Sequence, residues 1–273
     1  MKKLSLTLFL FILIVCNSFA QEHDYWGGVN FIETSLYSEE EDLEIIEMYK
    51  ELRVADVADG MDMVGLPHTG LVDPAIHPNW KDLEDLSHIV RGVALTARYV
   101  PTQRPDRPRE GQDFKEWELD FYAQYSSEKF AHIIRKGSVV VIDGVEGRDI
   151  RSIGSNNTLM WKSRGCVGIV TDAGAGDTDE SAIEKIPLYL RKKGRGIRPG
   201  RNELESVNRP VVIGGVLVCP GDIVIADGDG VIVVPRKVAK QVAVYAQEIL
   251  EKDKIGRRKF YDILGIPHDD TVK

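Results

Sequence analysis

The sequence predicts a single layered α/β domain. Three observations carry that prediction. Short apolar runs rich in valine and isoleucine recur at strand length, and segments with helical periodicity alternate with them. In the last third, two pairs of such runs fold back at Gly-Gly and Asp-Gly turns. Strands interleaved with helices, without any internal repeat, call for sheet and helix layers around one core.

The first twenty residues stand apart. Lys2 and Lys3 precede an almost unbroken apolar run from Leu4 to Cys16, and Ser18 and Ala20 supply small residues at a cleavage site. That order of charge, apolar core and small residues is expected of a secretory signal peptide over residues 1–20. The run is too short to span a bilayer, so after cleavage no membrane attachment is expected. The mature chain is expected to start at Gln21 and to be exported, periplasmic or secreted. It keeps 253 of the 273 residues, enough for one large core.

The whole chain carries a net charge of −8. This disfavours a nucleic-acid partner, because phosphate-backbone binding relies on clustered Lys and Arg. Cys166 and Cys219 sit in or beside apolar runs and read as two buried thiols rather than a disulfide.

After a polar lead-in (21–39), Ser38 and Glu41 form a capping box. The helix that follows carries Leu43, Ile46, Tyr49 and Leu52 on one face. A second helix is expected from Val57 to Met63, then a loop rich in Pro, His and Gly from Pro67 to Trp80. Gly92–Val100 reads as a strand. Residues 101–117 are charged and contain proline, so they read as an exposed insertion. Phe121, Tyr125 and Phe130 suggest a helix running towards Arg135. "GSVVVID" is a strand. "SNNTLMWKSRG" is a helix with Ser or Asn at its N-cap and Gly165 just beyond its end. "CVGIVTD" is a buried strand expected to end at Asp172, before a flexible acidic turn. "PVVIGGVLV" and "GDIVIADGDGVIVVP" are hairpins, and a helix should follow from Arg236 to about Gly256. The domain is thus expected over 40–256, with a C-terminal tail at 257–273.

One constellation carries chemistry. Gly154, Ser155, Asn156 and Asn157 open a helix whose free N–H groups and dipole suit an anion. The next strand leads to Asp177. With both at the same side of the sheet, an anion cradle would face a carboxylate. A divalent cation, Mg²⁺ or Mn²⁺, held by Asp177 and water would then grip a carboxylate-bearing ligand; magnesium needs only one or two carboxylates. A helix cap followed by a solvated turn explains the same residues without any ligand.

The order of "VADVADGMDMVG", "GVALTARYV", "GSVVVIDG", "GSNNTLMWKSRGCVGIVTDAGAGD" and "PVVIGGVLVCPGDIVIADGDGVIVVP" resembles the RraA-like family, over roughly residues 40–255. That family includes the regulator of ribonuclease E activity and the class II 4-hydroxy-4-methyl-2-oxoglutarate aldolases. The resemblance implies a layered ββα swivelling domain, usually a homotrimer with sites between subunits. For its aldolase members it implies one divalent metal, which polarises a 2-oxo acid and stabilises the pyruvate enolate.

The chain departs from the aldolase pattern. That pattern is an Asp, twenty residues, then Arg-Asp. Here it reads Ser155, twenty residues, Gly176-Asp177. The metal ligand is kept as Asp177, while the guanidinium is missing at 176. Arg98, Arg148, Arg151 and Arg164 are the candidates to supply it from elsewhere, although each also reads as a surface ion pair. No side chain identifies itself as the base.

The expected function is an exported metal-dependent lyase, cleaving or decarboxylating a small 2-oxo or hydroxy acid. The alternative is a non-catalytic protein of the same fold that binds a ligand or partner. A different enzyme on this scaffold, with Ser155 and the asparagines replacing the acid and arginine, is a third reading. The ribonuclease-regulating role is disfavoured, since that partner is cytoplasmic. No Gly-rich nucleotide motif supports a methyltransferase.

Overall fold

The computed structural model describes residues 28–145 and 147–273, so the expected signal peptide lies outside the described residues. Among those residues no helix is long and apolar enough to cross a membrane.

In chain order, α1 (Glu39–Met48) starts on the Ser38–Glu41 capping box, with both reciprocal bonds present. Its inward side chains differ slightly from the expected set. Ile45 and Tyr49 are buried, and Leu43 and Ile46 only half so. The helix stops at Met48, leaving buried Leu52 in the following turn. α2 (Val54–Met63) begins three residues before the expected start. The buried carboxylate of Asp227 accepts from Val54 N–H at 2.8 Å, supplying a cap from a distant turn.

β1 (His77–Pro78) is a short edge strand, and β2 (Val90–Pro101) runs longer than predicted at both ends. α3 (Phe114–Gln124) starts inside the stretch expected to be an exposed insertion. Asp113 caps it, and Trp117 is buried. It does not continue to Arg135; a 3₁₀ turn at Lys129–Ile133 places Phe130 in the core instead. β3 is Ser138–Asp143 and α4 is Ser155–Ser163. The N-cap of α4 is Gly154 rather than a Ser or Asn, and Gly165 follows its end at φ +105° as expected.

β4 (Cys166–Ala175) passes Asp172 and ends three residues later. The acidic stretch is then not a flexible turn. Asp177 sits in the left-handed region (φ +49°), and Asp179 and Glu180 occupy the first turn of α5 (Thr178–Ile183). Acids at that end complement the helix dipole. β5 (Leu188–Lys193) and β6 (Asn202–Val207) follow. The two hairpins are β7 (Val211–Ile213) with β8 (Val216–Val218), and β9 (Ile223–Asp227) with β10 (Gly230–Val234). α6 (Ala239–Leu264) runs eight residues beyond the expected end at Gly256.

The main sheet has eight strands in the order β1-β5-β4-β3-β2-β9-β10, with β6 also paired to β2. β2 through β5 are parallel neighbours, and the remaining pairings are antiparallel. The sheet curls until β1 approaches β10, and a Leu71–Ile232 bridge helps to close the seam. Strand alternation sorts the core accordingly. Val139, Val141, Val170, Val224 and Val233 share the interior cluster with the β7–β8 hairpin. Ile223, Ile225, Ile232 and Val234 pack under α1, α2 and α6. Val140, Ile142, Ile169 and Leu188 pack with Phe130 and Trp161. Both cysteines are free, as expected, but each is only half-buried rather than buried. Burial raises the Cys166 thiol to about 11, so it stays protonated at neutral pH and donates to Gly168 O at 3.1 Å.

Candidate functional site

The site forms where parallel strand β4 ends and α4 begins. Residues 150–153 thread between two backbone segments. On one side Ile153 bridges Ala175, Ser152 N–H donates to Gly174 O at 2.8 Å and Gly176 N–H donates to Ile153 O at 2.9 Å. On the other, Arg151 N–H donates to Gly196 O at 2.6 Å. This short parallel pairing brings position 151 beside position 176, although 25 residues separate them in the chain.

Asp177 and the start of α4 do face each other. Asp177 Oδ2 accepts from Ser155 N–H at 3.0 Å and from Ser155 Oγ at 3.4 Å. A Cβ on Gly154 would lie 2.9 Å from that oxygen, so glycine at the N-cap makes room for the carboxylate. In this arrangement Asp177 itself occupies part of the anion cradle. Asn156 is exposed beside it. Asn157 is committed to structure: its Oδ1 accepts from Gly154 N–H at 3.2 Å, and its Nδ2 donates to Glu128 Oε1 at 2.6 Å. The backbone N–H groups of Asn156 and Asn157 are the remaining first-turn donors without an intrahelical partner.

Of the four candidate arginines, only Arg151 reaches Asp177, with Nη1 3.3 Å from Oδ1. Arg98 pairs with Asp143 at 3.3 Å, and Arg148 and Arg164 donate to the carbonyls of Arg201 and Ala131. The Arg151 stem lies directly over Gly176: a Cβ there would meet its Cδ at 2.3 Å and its Cγ at 2.6 Å. Position 151 thus brings a guanidinium beside Asp177, where residue 176 has no side chain to supply one. Both side chains are partly exposed, 41% for Arg151 and 32% for Asp177. Such a pair is worth about 0–1 kcal/mol, and an incoming ligand can reorganise it at little cost.

Sequence reasoning missed the support beneath. Glu128 takes Asn157 and Arg198 on Oε1, the latter at 2.7 Å, and Trp161 Nε1 on Oε2 at 3.1 Å. Arg198 is buried, with Nη1 on the Tyr99 hydroxyl at 2.9 Å. This network pins the first turn of α4 from below. Nothing in "SSEKF" marks Glu128 as buried, so no pattern would have found it. The other conspicuous acids serve structure: Asp222 accepts from the N–H groups of Cys219 and Arg236, and Asp227 caps α2.

Among the described residues, no group of three or more His, Cys, Asp or Glu side chains is arranged to hold a metal. Asp177 Oδ1 nevertheless carries only one long contact on a part-exposed side chain. That donor chemistry fits a hydrated Mg²⁺ or Mn²⁺ that takes one carboxylate and keeps most of its waters. Asp177 is the residue that would hold it.

A curled α/β domain places a helix start, a carboxylate and a guanidinium together at the end of a parallel strand. The RraA-like family, described as Aldolase/RraA, matches residues 54–233, and the chain belongs to it. A relative from Halalkalibacterium halodurans, "Putative 4-hydroxy-4-methyl-2-oxoglutarate aldolase", is 31% identical over 128 residues, covering 46% of this chain and 60% of its own length. Streptomyces coelicolor RraAS2, described as an unusual member of the RNase ES inhibitor RraA protein family, superposes with a TM-score of 0.60 at 22% identity. The match covers 79% of this chain and 96% of that one. An uncharacterized protein from Pseudomonas syringae pv. tomato gives 0.62 at 23% identity, covering 82% and 94%. At these identities the two structures show the shared fold.

Proposed function

We propose that this protein is an exported, divalent-metal-dependent lyase that cleaves or decarboxylates a small 2-oxo or hydroxy acid, working as a homotrimer. Three things support the reading: the aldolase names of its relatives, the pattern of residues 1–20, and the site at the end of β4. The observation that carries it is the Arg151 stem over Gly176, with its guanidinium beside Asp177. A purely structural turn has no need of a cation returned to that place.

In this reading the N–H groups of Asn156 and Asn157 receive the substrate carboxylate, with Gly154 and Ser155 shaping the cradle. Ser155 orients Asp177 through its N–H and hydroxyl. Arg151 turns from Asp177 to the substrate and offsets negative charge as it develops there. A divalent cation bound at Asp177 would supply Lewis-acid polarisation of the substrate carbonyl.

The test is pyruvate release from 4-hydroxy-4-methyl-2-oxoglutarate, and decarboxylation of oxaloacetate, with Mn²⁺ or Mg²⁺. Asp177→Asn and Arg151→Gln should each lower kcat/KM by about a hundredfold or more. Asp177→Asn should also abolish stabilisation by Mn²⁺ with oxalate, while Asp179→Asn keeps it. Parent-like behaviour of Asp177→Asn in both assays would sink the proposal.

One observation favours a non-catalytic ligand-binding protein: Asp177 is already satisfied by Ser155 and Arg151. That reading expects the oxalate response without turnover of either acid. For the trimer, a mass of about 28 kDa by light scattering would count against it, being a single mature chain at roughly 110 Da per residue.

A further inference from the structure

In a chain of net charge −8, the stretch from Arg191 to Arg201 holds six cationic residues and no acid. Part of that charge is neutralised locally. Arg191 pairs with Asp73 at 2.8 Å, Arg195 with Asp149 at 2.5 Å and Arg198 with Glu128 at 2.7 Å. Arg201 differs. Its Nη1 donates to the carbonyl oxygens of Ile197 at 3.0 Å and Pro199 at 3.4 Å. Arg148 donates to Arg201 O at 3.3 Å. Among the described residues neither guanidinium has a carboxylate partner.

Both arginines line one pocket of about 570 Å³, together with Asp106, Asp149, Gly196 and Gly200. It lies between three segments: the stretch after β2, the 147–151 segment and the turn between β5 and β6. The pocket's two acids do not cancel its charge. Asp149 is gripped by Arg195 through its backbone N–H and guanidinium, which hold its carboxyl below the usual range. Asp106 pairs with Arg107 at 3.4 Å. Each of these acids thus has a cation of its own from outside the lining, which leaves Arg148 and Arg201 for an incoming anion.

The backbone prepares the pocket. A Cβ at Gly196 would come within 3.2 Å of Arg201 Nε and 3.3 Å of its Cζ, so the guanidinium lies against bare backbone. The two carbonyl bonds fix Arg201 before anything binds, which reduces the ordering cost on binding. A guanidinium fork matches the oxygens of carboxylate and phosphate. We propose that this pocket is a second anion site, which takes a carboxylate or phosphate group through Arg148 and Arg201.

It is separate from the site at Asp177 but joined to it, since Arg151 N–H bonds Gly196 O. The anion has two possible sources: a free inorganic ion, or the far acidic group of the substrate. The second source rests on the lyase reading.

The experiment titrates the mature protein with inorganic phosphate, without metal, by calorimetry and thermal shift. Parent and Asp177→Asn should bind alike, at millimolar or better affinity. Arg148→Gln and Arg201→Gln should each weaken binding by about tenfold or more, the loss of a charge-assisted contact. Arg201→Gln also removes two carbonyl bonds, so Arg148→Gln with unchanged circular dichroism decides. Then, with Mn²⁺, 2-oxoglutarate is compared with 2-oxobutyrate. A preference for the diacid that vanishes in Arg148→Gln assigns the pocket to the substrate's far end. Phosphate binding without that preference assigns it to a free anion. Equal phosphate affinity in the parent and Arg148→Gln, or no binding of phosphate and no diacid preference, overturns the proposal. The Asp177→Asn arm fails or succeeds independently, so the two readings are told apart.

Discussion

Replacing Glu128 with glutamine keeps its size and removes its charge. In the native protein three donors converge on that carboxylate, from Arg198, Asn157 and Trp161. Glutamine offers one carbonyl oxygen to all three and turns an NH₂ group towards a donor. The Arg198 and Glu128 side chains are only 8% and 11% exposed, so water cannot restore the lost partner. Breaking a buried pair from one side costs about 3–5 kcal/mol. The rings of Tyr99 and Tyr122, 5.4 and 5.1 Å from the guanidinium, keep part of its stabilisation. The expected loss is therefore near the lower limit, about 3 kcal/mol. For a domain of this size that lowers Tm by about 6–12 °C. Calorimetry of Glu128→Gln, Arg198→Met and the double variant measures it. The double variant should be markedly more stable than the sum of the singles, because no charge is left stranded. A single-variant loss below about 1 kcal/mol, or simple additivity, would refute the argument.

Gly176→Ala should displace the Arg151 stem and lower kcat/KM as Arg151→Gln does, while adding about 1–3 kcal/mol of overpacking; parent-like kcat/KM would contradict this. Stability should also fall in acid. Asp82 is held below its ordinary value by the Ser87 hydroxyl and the N–H groups of Asp85 and Glu84, Asp73 by Ala75 N–H and Arg191, and Asp149 by Arg195. The unfolded chain then binds more protons, so this contribution is complete above about pH 5 and lost as pH falls through the native values. Tm should decline between about pH 5 and pH 3, less steeply in Asp82→Asn; a flat profile for the parent would rule this out.

Much of the architecture was legible because it is written in backbone requirements. The two hairpin turns need glycine, and the strands between them are runs of valine and isoleucine that only a core accepts. β5 and β6 were not legible. "LYLRKK" and "NELESV" break alternation with charged and amide residues, and β6 buries Asn202 and Glu203 by bonding them to Ser126 and Arg104. A polar residue satisfied by distant partners looks the same in sequence as one facing water. The candidate site was read halfway. Spacing pointed to Asp177 and the α4 start, and the structure brings those together. The Asn157 side chain braces the helix start through Gly154 and Glu128, and Arg151 could be told from three other arginines only once the Ile153–Ala175 bridge placed it.

The Arg151 stem over Gly176 has an evolutionary consequence. With this backbone a Cβ at 176 meets the Arg151 stem, so a side chain gained at 176 displaces the arginine from its present path. In this chain the cation beside Asp177 comes from position 151, whereas the aldolase pattern that the sequence resembles carries its arginine at the position of Gly176. Restoring arginine at 176 alone meets an occupied space, and removing it from 151 alone leaves the carboxylate without its cation. Substitutions at 151 and 176 are therefore coupled through one shared contact, although 25 residues separate them in the chain.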